Sequence, residues 1–98
     1  MSRVFSKSTL RLFWEKHPKS EQYLKTWYDI AQNAGWKSPA DVKHTYANAS
    51  ILKNNRVAFN IKGNSYRLIV KINYEKQWIF IRFVGTHNEY DQIDANTI

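Results

Sequence analysis

Arg67 and Lys71 lie four residues apart in Tyr66–Asn73, YRLIVKIN, a segment whose side chains alternate. Tyr66, Leu68, Val70 and Ile72 share one face of a strand, and Arg67, Ile69, Lys71 and Asn73 share the other. Two cations about 13 Å apart on one rigid face can bind phosphates and steady the extra charge of a pentavalent phosphorane. The preceding segment, Arg56–Lys62, alternates too, with Val57, Phe59 and Ile61 against Arg56, Ala58, Asn60 and Lys62. If the register between the two strands aligns these faces, four cations and an amide converge on one side. Arg82 interrupts the otherwise apolar run Gln77–Val84 and adds another cation. A solvated face of an antiparallel sheet carries the same residue types, so a single lysine here means little. Arg67, flanked by Tyr66 and Leu68, is explained least well that way.

A second group follows the last strand. His87 comes directly after Gly85-Thr86, and Tyr90 and Asp91 follow three and four residues later. Side chains at strand ends are held firmly and still reach a substrate. An imidazole moves protons near neutral pH and a phenol can act as an acid. The same residues also fit an ordinary surface histidine and a packed aromatic. His17, before Pro18, and His44 fit structural or incidental roles, and the three histidines lack metal-ligand spacing, so no metal is expected. Dinucleotide-binding, Walker and G-x-S-x-G patterns are absent, and the glutamates are too scattered for a paired-carboxylate site.

The elements that must position these groups follow from periodicity and punctuation. A short strand is expected at Arg3-Val4-Phe5. Ser6 or Ser8 can cap a helix bearing Leu10, Phe13 and Trp14, which ends before Pro18. Ser20 opens a second helix, with Tyr23, Leu24, Trp27, Tyr28, Ile30 and Ala31 as its stripe and Gly35 closing it. Ser38-Pro39-Ala40-Asp41 starts a third, short helix that runs to about Tyr46. Ala47–Asn55 reads as a loop with a turn at Asn54-Asn55. Strands at 56–62, 66–73 and 77–84, joined by Gly63-Asn64 and by 73–76, make a meander. The fold class predicted is α+β, with N-terminal helices packed on a small antiparallel sheet in one domain, 1–98. A double-stranded-RNA-binding domain or an RRM orders its elements differently.

The 98 residues carry 15 Lys/Arg against 8 Asp/Glu, a formal charge of +7. The asymmetry is local. Residues 51–87 hold seven bases and one acid, Glu75, while 88–98 hold three acids and no base. A basic sheet in an aromatic-rich chain fits a polyanion partner as readily as it fits a merely soluble surface. With no cysteine, disulfide and thiolate-metal frameworks are excluded. No apolar run is long enough to span a membrane, and MSRVFSKST has no signal-peptide core, so a cytoplasmic location is expected.

Several of these residues together resemble one family. Phe59-Asn60, then Gly63-Asn64-Ser65-Tyr66-Arg67-Leu68, then Ile81-Arg82 and Thr86-His87-x-Glu89-Tyr90-Asp91 are similar to segments of the HigB toxins, RelE-like members of bacterial type II toxin–antitoxin modules. Arg3-Val4-Phe5-Ser6 and Trp14–Pro18 are similar as well. The resemblance implies an mRNA interferase that cuts messenger RNA on the ribosome. It implies helices on a small antiparallel sheet, a helix-turn-helix antitoxin of the HigA type, and operator DNA contacted only through that complex. It also implies that Arg67 binds the scissile phosphate, with His87 and Tyr90 loosely matching the polar residue and the tyrosine that complete such sites. The family's lysine pair has no clean counterpart here; Lys62 and Lys71 are nearest.

The expected chemistry is then cofactor-free. The RNA's own 2′-OH attacks phosphorus, Arg67 with Lys71 or Lys62 stabilises the phosphorane, and His87 and Tyr90 share the proton transfers. Arg56, Asn60, Lys62 and Arg82 are the expected RNA contacts. Two rivals stand beside it: a non-catalytic RNA- or ribosome-binding module that blocks translation by occupancy, and a structural partner for a DNA-binding protein.

Overall fold

The computed structural model describes every residue, Met1–Ile98. Five strands form one sheet: β1 (Arg3–Phe5), β2 (Ser50–Ile51), β3 (Arg56–Ile61), β4 (Tyr66–Asn73) and β5 (Trp78–Thr86), in the order β1-β5-β4-β3-β2. The meander read from alternation is its centre, and the fold is α+β. The edges make the sheet mixed. β1 runs parallel to β5, and β2, inside the span expected to be loop, pairs antiparallel with β3. The β2–β3 turn places Asn54 and Asn55 at φ 59° and 61°, the left-handed pair that suits a twisted two-strand hairpin.

Two boundaries of the last strand differ from expectation. Gln77 does not open the strand. It sits at φ 60°, and its Nε2 donates to Trp36 O (2.6 Å) and Tyr74 O (2.7 Å), so it closes the turn instead. At the other end Gly85 and Thr86 are paired strand residues, opposite Arg67 and Tyr66, rather than a turn.

The helices lie where capping and periodicity place them: α1 (Lys7–Lys16), a 3₁₀ turn (Pro18–Ser20), α2 (Glu21–Ala34) and α3 (Pro39–Thr45). Gly35 ends α2 at φ 60°, and Ser38 Oγ caps α3 by accepting from Asp41 N–H (3.3 Å). Ser20 precedes α2 but gives it no side-chain cap, because its hydroxyl donates back to His17 O (2.7 Å). Leu10, Leu24, Trp27, Ala31 and Val42 from the helices bury against Val57, Phe59, Ile61, Leu68, Val70, Ile72, Ile79 and Ile81. Phe59 is the hub, with ring centroids 5.4 Å from Trp27, 5.8 Å from Trp36 and 5.3 Å from Tyr46. No helix is long and apolar enough to cross a membrane.

The opposite sheet face carries no helix from the N-terminal half. Pairing arranges it in rows: Asn60, Arg67, Gly85; then Ala58, Ile69, Phe83; then Arg56, Lys71, Phe80, Phe5; then Asn73, Trp78, Arg3. Ile69 pairs with Phe83 but Val70 with Ile81, so Arg82 is the extra residue of a bulge. The chain beyond β5 returns over this face as α4 (His87–Tyr90) and residues 91–98, and Ala58 and Ile69 are buried beneath that return.

Candidate active site

The first row, Asn60–Arg67–Gly85, lies under α4. Thr86 and Glu89 fix the helix start reciprocally: Glu89 N–H donates to Thr86 Oγ1 (3.2 Å), and Thr86 N–H donates to Glu89 Oε1 (2.8 Å). This is a capping box; the Thr-x-x-Glu spacing that encodes it is present in the chain, but no helix was expected there. The box aims the next residues. Tyr90 lays its ring on the Arg67 guanidinium, 5.0 Å from centroid to carbon, so these two predicted residues are brought together. His87 sits on the same short helix, exposed, with Nε2 3.6 Å from Asp91 Oδ2.

Gly85 keeps the row open. A Cβ there would stand 2.5 Å from Phe83 Cζ and 3.1 Å from Glu89 Oε1. The ring of Phe83 therefore lies across the backbone of Gly85, between Arg67's row and the next. Gly85→Ala is expected to displace that ring and the capping carboxylate, destabilising the fold by about 1–2 kcal/mol. Urea unfolding at unchanged m-value checks it. Neither Gly85 nor Phe83 declared itself in the sequence, because the close approach exists only once strand and helix are assembled.

Two polar atoms in this row are buried without a hydrogen-bond partner: Arg67 Nε and Asn60 Oδ1. One is a donor and the other an acceptor, on cross-strand neighbours, and they do not satisfy each other. An unsatisfied buried polar atom costs about 1–3 kcal/mol, so the pair is a local weak point of the packing that calls for a physical reason. The electrostatics of the helix above are set by Glu89. The Thr86 backbone N–H donating to its carboxylate holds it below the usual carboxylate range, against a smaller opposing effect of desolvation. A carboxylate lowered in this way contributes its capping at every pH above the ordinary carboxylate range. The contribution fades only as pH falls through the lowered value.

The other predicted residues are distributed. Lys71 shares the face of Arg67 but stands two rows away, lining a cleft with Trp78, Phe80 and Arg82. Arg56 is 8% exposed, and its guanidinium donates from Nε to Ile98 O (2.7 Å), from one terminal nitrogen to Asn54 O (3.2 Å) and from the other to Thr97 O (3.2 Å). Arg82 is exposed and donates Nε to Ile98 O (3.3 Å). Lys62 leaves the strand at φ 52°. It lines a pocket with Tyr23, Thr26 and Trp27 of α2, on the helix side of the sheet. The face therefore gathers Asn60, Arg67 and Tyr90 at one end and Lys71 and Arg82 at the other. No three His, Asp or Glu side chains cluster as metal ligands would.

Comparison with known proteins supplies the context. The family model of HigB toxins, described as the RelE-like toxic component of a toxin–antitoxin system, matches residues 20–93. The mRNA interferase HigB of Escherichia coli O6:H1 (strain CFT073) is 23% identical over 92 residues, covering 92% of this chain and 89% of that one. The mRNA interferase toxin HigB of Escherichia coli K12 is 29% identical over 83 residues, covering 83% and 80%. The mRNA interferase HigB of Shigella flexneri gives the same figures. The match takes in the Asn60–Arg67–Gly85 row, the capping box and Tyr90, and the chain belongs to the HigB toxin family, the RelE-like toxic components of toxin–antitoxin systems.

Proposed function

We propose that this chain is an endoribonuclease that cleaves messenger RNA on the ribosome and so inhibits translation. One observation carries the reading: Arg67 presents a buried, unpartnered Nε beside an equally unpartnered Asn60 Oδ1, under the Tyr90 ring. A phosphate oxygen of a ribonucleotide linkage accepts from the terminal nitrogens of Arg67, which make no hydrogen bond within the fold, with the 2′-OH toward His87 and Tyr90. The 2′-oxygen then attacks phosphorus, the O2′–P bond forms and the P–O5′ bond breaks, leaving a 2′,3′-cyclic phosphate and a 5′-OH. Arg67 holds the growing negative charge of the phosphorane, the state in which such a donor contributes most. His87 and Tyr90 take the 2′-OH proton and return one to the leaving 5′-oxygen. The nucleophile belongs to the substrate, so no metal is needed to generate it. Geometry does most of the work, and the ribosome supplies part of it by presenting the codon in line.

Lys71 and Arg82, further along the face, hold neighbouring phosphates. A HigA-type helix-turn-helix antitoxin is the partner of this reading; it silences the chain and contacts operator DNA in complex with it. Mapping mRNA 5′ ends after induction is the test. Cuts locked to codons, each with a 5′-OH end, are the expected outcome. Intact transcripts with stalled synthesis would overturn the reading in favour of occupancy.

The capping box gives a second check. Glu89→Ala frays α4, turns Tyr90 off Arg67 and lowers cleavage about tenfold in a translating extract. Glu89→Gln, which can complete the same reciprocal cap, is expected to restore most of it.

A further inference from the structure

We infer that the far end of the open face is a stacking subsite for unpaired RNA nucleotides flanking the linkage that Arg67 holds, an inference that rests on the endoribonuclease reading. Phe5, Trp78 and Phe80 gather there. Phe5 and Phe80 stack with centroids 4.9 Å apart and planes 14° from parallel. Trp78 stands edge-on to both, at 6.1 and 6.3 Å. The three rings belong neither to the core nor to the residues packed against it, and each is only half-buried. Part of their apolar area is therefore left uncovered by folding, at the end of the face away from α4.

The cleft beside them measures about 680 Å³, and Lys71, Asn73, Tyr74, Trp78, Phe80 and Arg82 line it. Lys76 Nζ lies 4.7 Å from the Trp78 centroid. Four cations, Arg3, Lys71, Lys76 and Arg82, thus surround the rings against one acid, Glu75. Aromatic planes edged by cations are the chemistry that grips single strands: rings stack on bases whatever their sequence, and cations track the backbone. A neutral apolar partner would not call for the cations, and a duplex would not offer unstacked bases. The subsite and the proposed active site share one face, because Lys71 and Arg67 project from the same side of β4, about 13 Å apart along the strand. An RNA strand that engages both ends passes over the returning chain between them. The row between them, Ala58, Ile69 and Phe83, is floored by apolar groups and roofed by the returning chain.

Binding measured without cleavage tests this. In an Arg67→Ala background, a short unstructured RNA is followed by fluorescence anisotropy. Trp78→Ala and Phe80→Ala are each expected to weaken binding about tenfold, while Trp78→Phe keeps most of it. Lys71→Gln is expected to lower the slope of log K against log salt by about 0.7, one single-strand phosphate contact. An RNA carrying a run of abasic nucleotides should bind more weakly, and its binding should no longer respond to Trp78→Ala. If Trp78→Ala binds the intact RNA as tightly as its parent, with an unchanged melting temperature, the subsite is overturned. It is overturned equally if the substitution weakens only the antitoxin complex. The two readings fail separately. Codon-locked cuts by the wild-type chain together with Trp78-independent binding sink the subsite alone, and Trp78-dependent binding by a chain that never cuts sinks the nuclease reading alone.

Discussion

Replacing Arg67 with alanine is expected to slow mRNA cleavage by roughly 10²–10³-fold, the loss seen when one donor to a developing oxyanion is removed. Induced growth arrest should disappear with it. The informative half of the prediction concerns stability. A structural arginine in a sheet would take its hydrogen bonds with it, and the fold would weaken. Arg67 has a buried Nε that bonds to nothing and a cation–π contact to Tyr90. Removing it forfeits about 0.5–1 kcal/mol of that contact and relieves an unsatisfied donor worth about as much or more. The melting temperature of Arg67→Ala should therefore stay within about 5 °C of wild type. Arg67→Lys should remain nearly as inactive as the alanine variant. An ammonium has neither the planar fork that binds two phosphate oxygens nor the flat face that Tyr90 covers. A large drop in melting temperature, or rescue by lysine, would mean that the orphaned atoms mark a packing compromise and not a substrate site.

How much of this the chain declared depends on what kind of signal each part leaves. The meander was legible because apolar residues recur at every second position, Val57, Phe59 and Ile61, then Leu68, Val70 and Ile72, although Ala58 and Ile69 are apolar on the other face. Helix ends were legible because Gly35, Pro18 and Ser38-Pro39 act locally. Arg67 stood out because a guanidinium between two core-facing residues needs a reason. The register that places Asn60 beside it required the two-stranded pairing, which a conditional reading of the strands anticipated. What stayed hidden depends on groups that every residue has. The tail holds the face through the carbonyls of Asn96, Thr97 and Ile98, and a carbonyl carries no sequence signature. Gln77 shows the same limit. A glutamine at the edge of an apolar run looks like strand, and only its bonds to Trp36 O and Tyr74 O hold it in the left-handed region. The bulge at Arg82 was hidden too, since one extra residue leaves the composition of a strand unchanged.

That hidden tail changes what Arg56 does. From its strand position it belonged with Arg67 and Lys71 as an RNA contact; in the structure each nitrogen of its guanidinium donates one hydrogen bond, to Asn54, Thr97 and Ile98. It also stands directly opposite Lys71, a like-charge pair that strand pairing alone would disfavour. The tail carbonyls offset that repulsion, and the tail's own reversal supports them: Thr97 and Ile98 N–H both return to Asp94 O, at 3.2 and 3.1 Å. Arg56→Ala should therefore act on stability first, leaving Thr97 O and Asn54 O without a charged donor and Ile98 O with Arg82 alone. Hydrogen bonds to a charged group contribute about 1.5–3 kcal/mol, and a total near 3 kcal/mol is expected here, with a fall of about 12–24 °C in melting temperature. A double-mutant cycle with a chain stopped before Asp94 isolates the cause. If Arg56 works by holding the tail, its substitution should cost little once the tail is gone, a coupling of about 1–3 kcal/mol. If Arg56 instead grips phosphate, the substitution should leave unfolding alone, lower the salt slope of RNA binding, and do both equally with and without the tail. Lys71 would then lose its separate standing as the face's free cation, because freedom from the tail is what distinguishes Lys71 from Arg56 across the same pair of strands.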